Sequence, residues 1–108
     1  MENTSPFLAM QRMEAQLKGL LRNIDTELLT AAEQKAVAAI KRLMVDARLD
    51  IRDYELSETR VEQLQNAETA KKRIATLQSH VLEAGAVFGP ADVAQIGGQL
   101  EQIHAWLL

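Results

Sequence analysis

The sequence predicts an all-α chain: an antiparallel, up-down bundle of four helices built on a long hairpin of the second and third. Three observations carry this reading. Sixteen alanines stand against five glycines and two prolines, a composition that favours helix almost throughout. β-branched residues never gather into an alternating run, so no strand is expected. Apolar residues fall instead into four stripes with steps of three and four, and the short connections between them set neighbouring helices antiparallel.

The first stripe is Met10, Met13, Leu17, Leu20 and Ile24, widened by Phe7 and Leu21. Ser5 is placed to cap this helix, with Pro6 at its first position, where a missing N–H costs nothing. Asn23 and Asp25 offer one stop. Thr30 and Glu33 have capping-box spacing, each side chain able to satisfy the other's free backbone donor, and the preferred break is near Leu29 and Thr30.

The second helix runs from about Ala31 to Glu55. Its stripe is Ala32, Ala36, Ile40, Leu43, Ala47, Ile51 and Tyr54. Ser57 is the expected cap of the third, over about Glu58 to Val87, with the stripe Ala67, Ala70, Ile74, Leu77, Val81, Ala84 and Phe88. Pro90 opens the fourth, which runs to about Leu107 along Val93, Ile96, Leu100, Ile103 and Leu107. Gly97 and Gly98 weaken its middle and suggest a close helix approach or a kink.

A chain of 108 residues is read as one domain, residues 1–108. It has no cysteine, which excludes disulfides, thiol catalysis and thiolate-bound zinc. Glu2 stands where a secretory signal carries a cation, and no apolar run approaches the ~20 residues a spanning helix needs. The expectation is a cytoplasmic protein without membrane attachment. A formal net charge of −3 gives no global pull towards nucleic acid.

Charge is unevenly spread. With Ser57 as the centre of the hairpin, Lys41 and Arg42 come level with Lys71, Lys72 and Arg73 to form a basic belt. Beyond it, residues 45 to 70 hold seven acidic and three basic side chains. A fourth helix of some 18 residues covers about 27 Å of a third helix roughly 45 Å long. The hairpin tip then lacks a fourth neighbour. It projects as a two-helix arm if the first helix stops at Asn23. In either case a groove lined by Ile51, Tyr54, Val61 and Leu64 is expected there, suited to a helix from a partner. Trp106 and Leu108 form a second candidate patch, since an edge tryptophan is a good interface anchor.

Reaction chemistry is hard to assemble. Glu101 and His104 have the Glu-x-x-His spacing of di-metal bundles, but Leu100 and Ile103 hold the inward positions. His80 precedes Glu83 in the reverse order. No carboxylate is expected on the core stripes of the first two helices. Ser79 and His80 are helix neighbours that cannot face each other, and "GGQL" is no phosphate loop. The reading is a non-enzymatic interaction module: an adaptor, chaperone-like binder or regulatory subunit. It has no cofactor or metal, and it binds a partner helix or a second copy of itself as a homo-oligomer. The alternative is a nucleic-acid-binding regulator using the basic belt. A metal enzyme using His80 and His104 is the remote third.

Overall fold

The computed structural model describes residues 5–107. Its elements are α1 (Pro6–Arg22), a single 3₁₀ turn (Thr26–Leu28), α2 (Ala31–Glu55), α3 (Arg60–Glu83), the short α4 (Gly85–Phe88) and α5 (Pro90–Trp106). The described residues contain no strand. The helix ends follow local chemistry. Ser5 Oγ accepts from the Leu8 N–H at 3.1 Å. Thr30 and Glu33 form the complete capping box, with bonds of 3.1 and 2.9 Å. Gly89 adopts φ +89°, the one left-handed residue among those described, and Pro90 follows it as the first residue of α5.

Four boundaries differ from the expected ones. α1 stops at Arg22 and not near Leu29. Asn23 turns its side-chain amide onto the Gly19 carbonyl at 3.4 Å, and Asp25 then caps the 3₁₀ turn through the Glu27 N–H at 3.0 Å. Gln34 ties that turn to α2 by donating to the Thr26 carbonyl at 2.8 Å. Ser57 does not cap α3. Its hydroxyl donates to the Asp53 carbonyl at 2.9 Å, closing the end of α2, and Thr59 caps α3 through the Glu62 N–H at 3.1 Å. α3 ends at Glu83, with α4 carrying the chain on to Phe88. α5 ends one residue early, at Trp106.

The stripes meet in one core. Met10, Met13, Ile40, Met44, Ile51, Ile74, Leu77, Val81, Ile96, Leu100 and Ile103 are its large buried side chains. α2 and α3 share the most extensive interface. Five buried alanines belong to it or adjoin it: Ala36, Ala47, Ala67, Ala70 and Ala84. α1 contributes none and presents Met10, Met13, Leu17 and Leu21. α1 also packs on α2 and α5, and α3 on α5.

The tip is built differently from the expected two-helix arm. The Phe7 N–H donates to Glu55 Oε2 at 3.2 Å, so the start of α1 sits at the end of α2 although α1 is short. Asn66 donates to the Asp53 carbonyl at 3.2 Å and to Ser57 Oγ at 2.9 Å. Residue 66 of α3 is thus already level with the end of α2, and the turns before it extend past α2. The same offset moves the hairpin register. Arg73 meets Asp46 and Asp50, not residue 41.

α5 is one continuous helix through Gly97 and Gly98. A Cβ at either glycine would meet no atom within 4 Å, so a close helix approach is not their role.

Candidate functional site

A mostly apolar concavity lies between α1 and α2. Leu17 and Leu21 are buried on the core stripe of α1, and Met44, buried, and Val45, partly exposed, are neighbours on α2. These four form the floor of a groove of about 480 Å³. Because α1 stops at Arg22, the groove stays open at that end. Lys18, Arg22 and Lys41 stand on its rim.

One carboxylate lies at its edge. Glu14 is the only buried charged residue among those described. Arg48 Nε approaches its Oε1 to 2.7 Å, and Lys18 Nζ lies 3.7 Å from its Oε2. A buried charge needs such a partner, since desolvation would otherwise cost several kcal/mol. Arg48 therefore neutralises Glu14. Arg22 and Lys41 have no ion-pair partner among the described residues, which leaves the rim basic. An apolar floor with basic edges suits an apolar segment that carries acidic flanks.

The residues expected at a tip groove differ in exposure. Ile51 is 0% exposed and belongs to the core. Tyr54 is half-buried against the core edge. Val61 and Leu64 are 64% and 46% exposed, on the turns of α3 that extend past α2. Trp106 is exposed at the end of α5 and lines a small recess with Ala9, Arg12, Met13 and Ile103. Leu108 lies outside the described residues.

The basic belt is also divided. Lys41 stands at the α1/α2 groove, whereas Arg42 lines a separate hollow with Lys35, Glu33, His80 and Glu83. Lys72 and Arg73 lie at a third place, beside Leu43, Thr69 and Thr76. Lys71 neighbours them in sequence, on the half-buried flank of α3. Arg73 Nε donates to Asp50 Oδ2 at 2.9 Å, and Nη1 lies 3.8 Å from Asp46. The Asp50 hydrogen bond raises the Arg73 pKa above its already high ordinary value. Desolvation opposes this, and the charges of Asp50 and Asp46 add to it. The shifted register accounts for the division: Arg73 lies against Asp46 and Asp50 of α2 and not against Lys41.

His80 Nδ1 lies 2.8 Å from Glu83 of its own helix. Gln78 donates to the Gly97 carbonyl at 3.5 Å, so His104 sits roughly two turns farther along α5 than the residue level with Gln78. Among the described residues, no three His, Cys, Asp or Glu side chains converge as metal ligands. No described helix is long and apolar enough to cross a membrane.

Sequence reasoning missed the groove and its carboxylate, having expected no acid on these stripes. The signal was present. Glu14 follows Met10 by four and precedes Leu17 by three, which places it on the α1 stripe. Comparison with known proteins finds no matching family model, no matching curated protein and no matching solved structure.

Proposed function

We propose that this chain is a non-enzymatic protein-interaction module: an antiparallel up-down four-helix bundle whose α1/α2 groove takes an apolar helical segment with acidic flanks. The observation that carries the reading is the groove itself. Leu17, Leu21, Met44 and Val45 give it an apolar floor of helix-docking size, and Lys18, Arg22 and Lys41 give it a basic rim. The topology supports it. Phe7 beside Glu55 and Glu14 beside Arg48 pair early residues of α1 with late residues of α2, as antiparallel neighbours do. The apolar face would supply most of the affinity, and the rim would select the sign of the partner's charge.

Two synthetic amphipathic helices test this, one with glutamates flanking a leucine face and one with lysines. Fluorescence anisotropy should show the glutamate peptide binding about tenfold or more tightly than the lysine peptide. Val45→Asp places a charge on the partly exposed floor and should abolish the binding while leaving far-UV helicity unchanged. Equal affinity for both peptides, or binding that Val45→Asp leaves intact, contradicts the reading.

A further inference from the structure

The groove does not end at Val45. Along α2, residues 41, 45, 49, 52 and 56 repeat at steps of four, four, three and four, which keeps them on one side of the helix. Three of them are apolar and open to solvent: Val45 is 37% exposed, Leu49 38% and Leu56 69%. An apolar strip therefore leads from the groove floor to the hairpin tip.

The two ends of this strip carry opposite charge. At the groove end stand Lys18, Arg22 and Lys41. At the tip stand Asp53, Glu55, Glu58 and Glu62, all exposed, against Arg52 and Arg60. Val61 and Leu64, exposed on the same overhanging turns, add apolar surface there. The chain thus carries both the basic-rimmed groove and an apolar, acid-flanked segment of the kind that groove fits.

Leu49 lies near the middle of the strip. Lys41 is about 12 Å from it along α2 and Leu56 about 10 Å on the other side, at 1.5 Å per residue. A two-fold axis at Leu49 would bring each basic end onto the other copy's acidic end, and the apolar strips onto each other. Such a surface is self-complementary, which is the condition for a closed, isologous dimer.

Resting on the groove reading above, we propose that the occupant is a second copy of this chain, docked antiparallel across a two-fold axis near Leu49. The groove of each copy receives the acidic hairpin tip of the other. Lys41 of one copy lies against the region of Glu58 in the second. Association weakens with salt, because the charged ends are exposed to screening.

The absence of cysteine gives a direct test. Leu49→Cys places one thiol per chain beside the axis, and mild oxidation should yield a covalent dimer in high yield. Leu82→Cys, at an exposed site on α3, should not. By sedimentation equilibrium the wild type should show twice its 12.0 kDa mass. Leu49→Asp should weaken that dimer about tenfold or more, with unchanged far-UV helicity. Lys41→Glu and Glu58→Lys should each weaken it, and the double variant should restore it. A monomeric wild type, cross-linking at residue 82 but not 49, or a double variant no better than the singles overturns the proposal. A monomer that still prefers the glutamate peptide refutes the dimer and keeps the groove. A monomer that binds neither peptide refutes both.

Discussion

The two faces of α2 are built from different side chains. Towards α3, α2 sets Ala36 and Leu43, while α3 and its cap carry the buried Ala67, Ala70 and Ala84. α2 and α3 are also the two longest helices, and their interface is the most extensive in the molecule. Towards α1, Met44 meets a surface of Met10, Met13, Leu17 and Leu21. Longer side chains line this face, and the groove lies beside them where α1 ends at Arg22. The difference teaches that one helix can be rigidly seated on one side and available on the other. The small residues fix the frame, and the large flexible ones edge the surface proposed to bind.

The sharpest test of this contrast is to replace one buried side chain on each face. Ala70→Leu forces extra volume into the alanine interface and should cost about 2–3 kcal/mol in urea unfolding. Met13→Leu keeps volume on the α1 side and should cost under about 1.5 kcal/mol. Similar losses for the two would erase the distinction.

Next in size is the ion pair beside the groove. Arg48→Met leaves the Glu14 carboxylate buried with only the distant Lys18 for company. A loss of about 2 kcal/mol is expected, below the value for a fully enclosed charge because Lys18 remains. Replacing both, Glu14→Leu with Arg48→Met, should return stability to within about 1 kcal/mol of the wild type. A double variant as unstable as Arg48→Met alone would mean that the pair does more than neutralise a buried charge.

Smaller effects of opposite sign lie on the remaining helices. Gly98→Ala should stabilise by about 0.5–1 kcal/mol, since its Cβ has open space and the helix gains propensity. A destabilising result in thermal melts would show that α5 packs more closely there. Arg73→Ala breaks the contacts with Asp50 and Asp46, but the side chain is partly exposed and screened, so a loss of only about 0.5 kcal/mol is expected. The raised Arg73 pKa stabilises the fold while pH stays below the unfolded value and ceases to only as pH rises through the folded one. Both lie far above neutrality, so Arg73→Ala should cost the same at pH 5 and pH 9. A cost that changed across that span would contradict the assignment.

The helical stripes were legible because burial imposes a period. Ala67, Ala70, Ile74, Leu77, Val81, Ala84 and Phe88 are all buried as their spacing requires. Thr30 and Glu33 were legible because a capping box is local chemistry. The end of α1 was not, because two stop signals compete within eight residues and the bond from Asn23 to Gly19 decides between them. The tip was misread for a related reason. A hairpin register depends on where the connection seats itself. Asn66 bridging to Asp53 and Ser57 shifts α3 along α2, dividing the basic belt and exposing Val61 and Leu64. The groove was illegible from stripes alone, since they say which residues face inward and not how far apart the helices stand. Glu14 was the exception: its position marked it as buried, and its chemistry argued against looking there.

The account turns on the α1/α2 groove as the binding surface, and amide hydrogen exchange read by mass spectrometry tests that most directly. With the glutamate-flanked peptide added to protein diluted until it is monomeric, protection should rise in peptides covering residues 14–22 and 41–49 and nowhere else to a comparable degree. A rise centred on Trp106 or on residues 60–66, or no rise at saturating peptide, would contradict it.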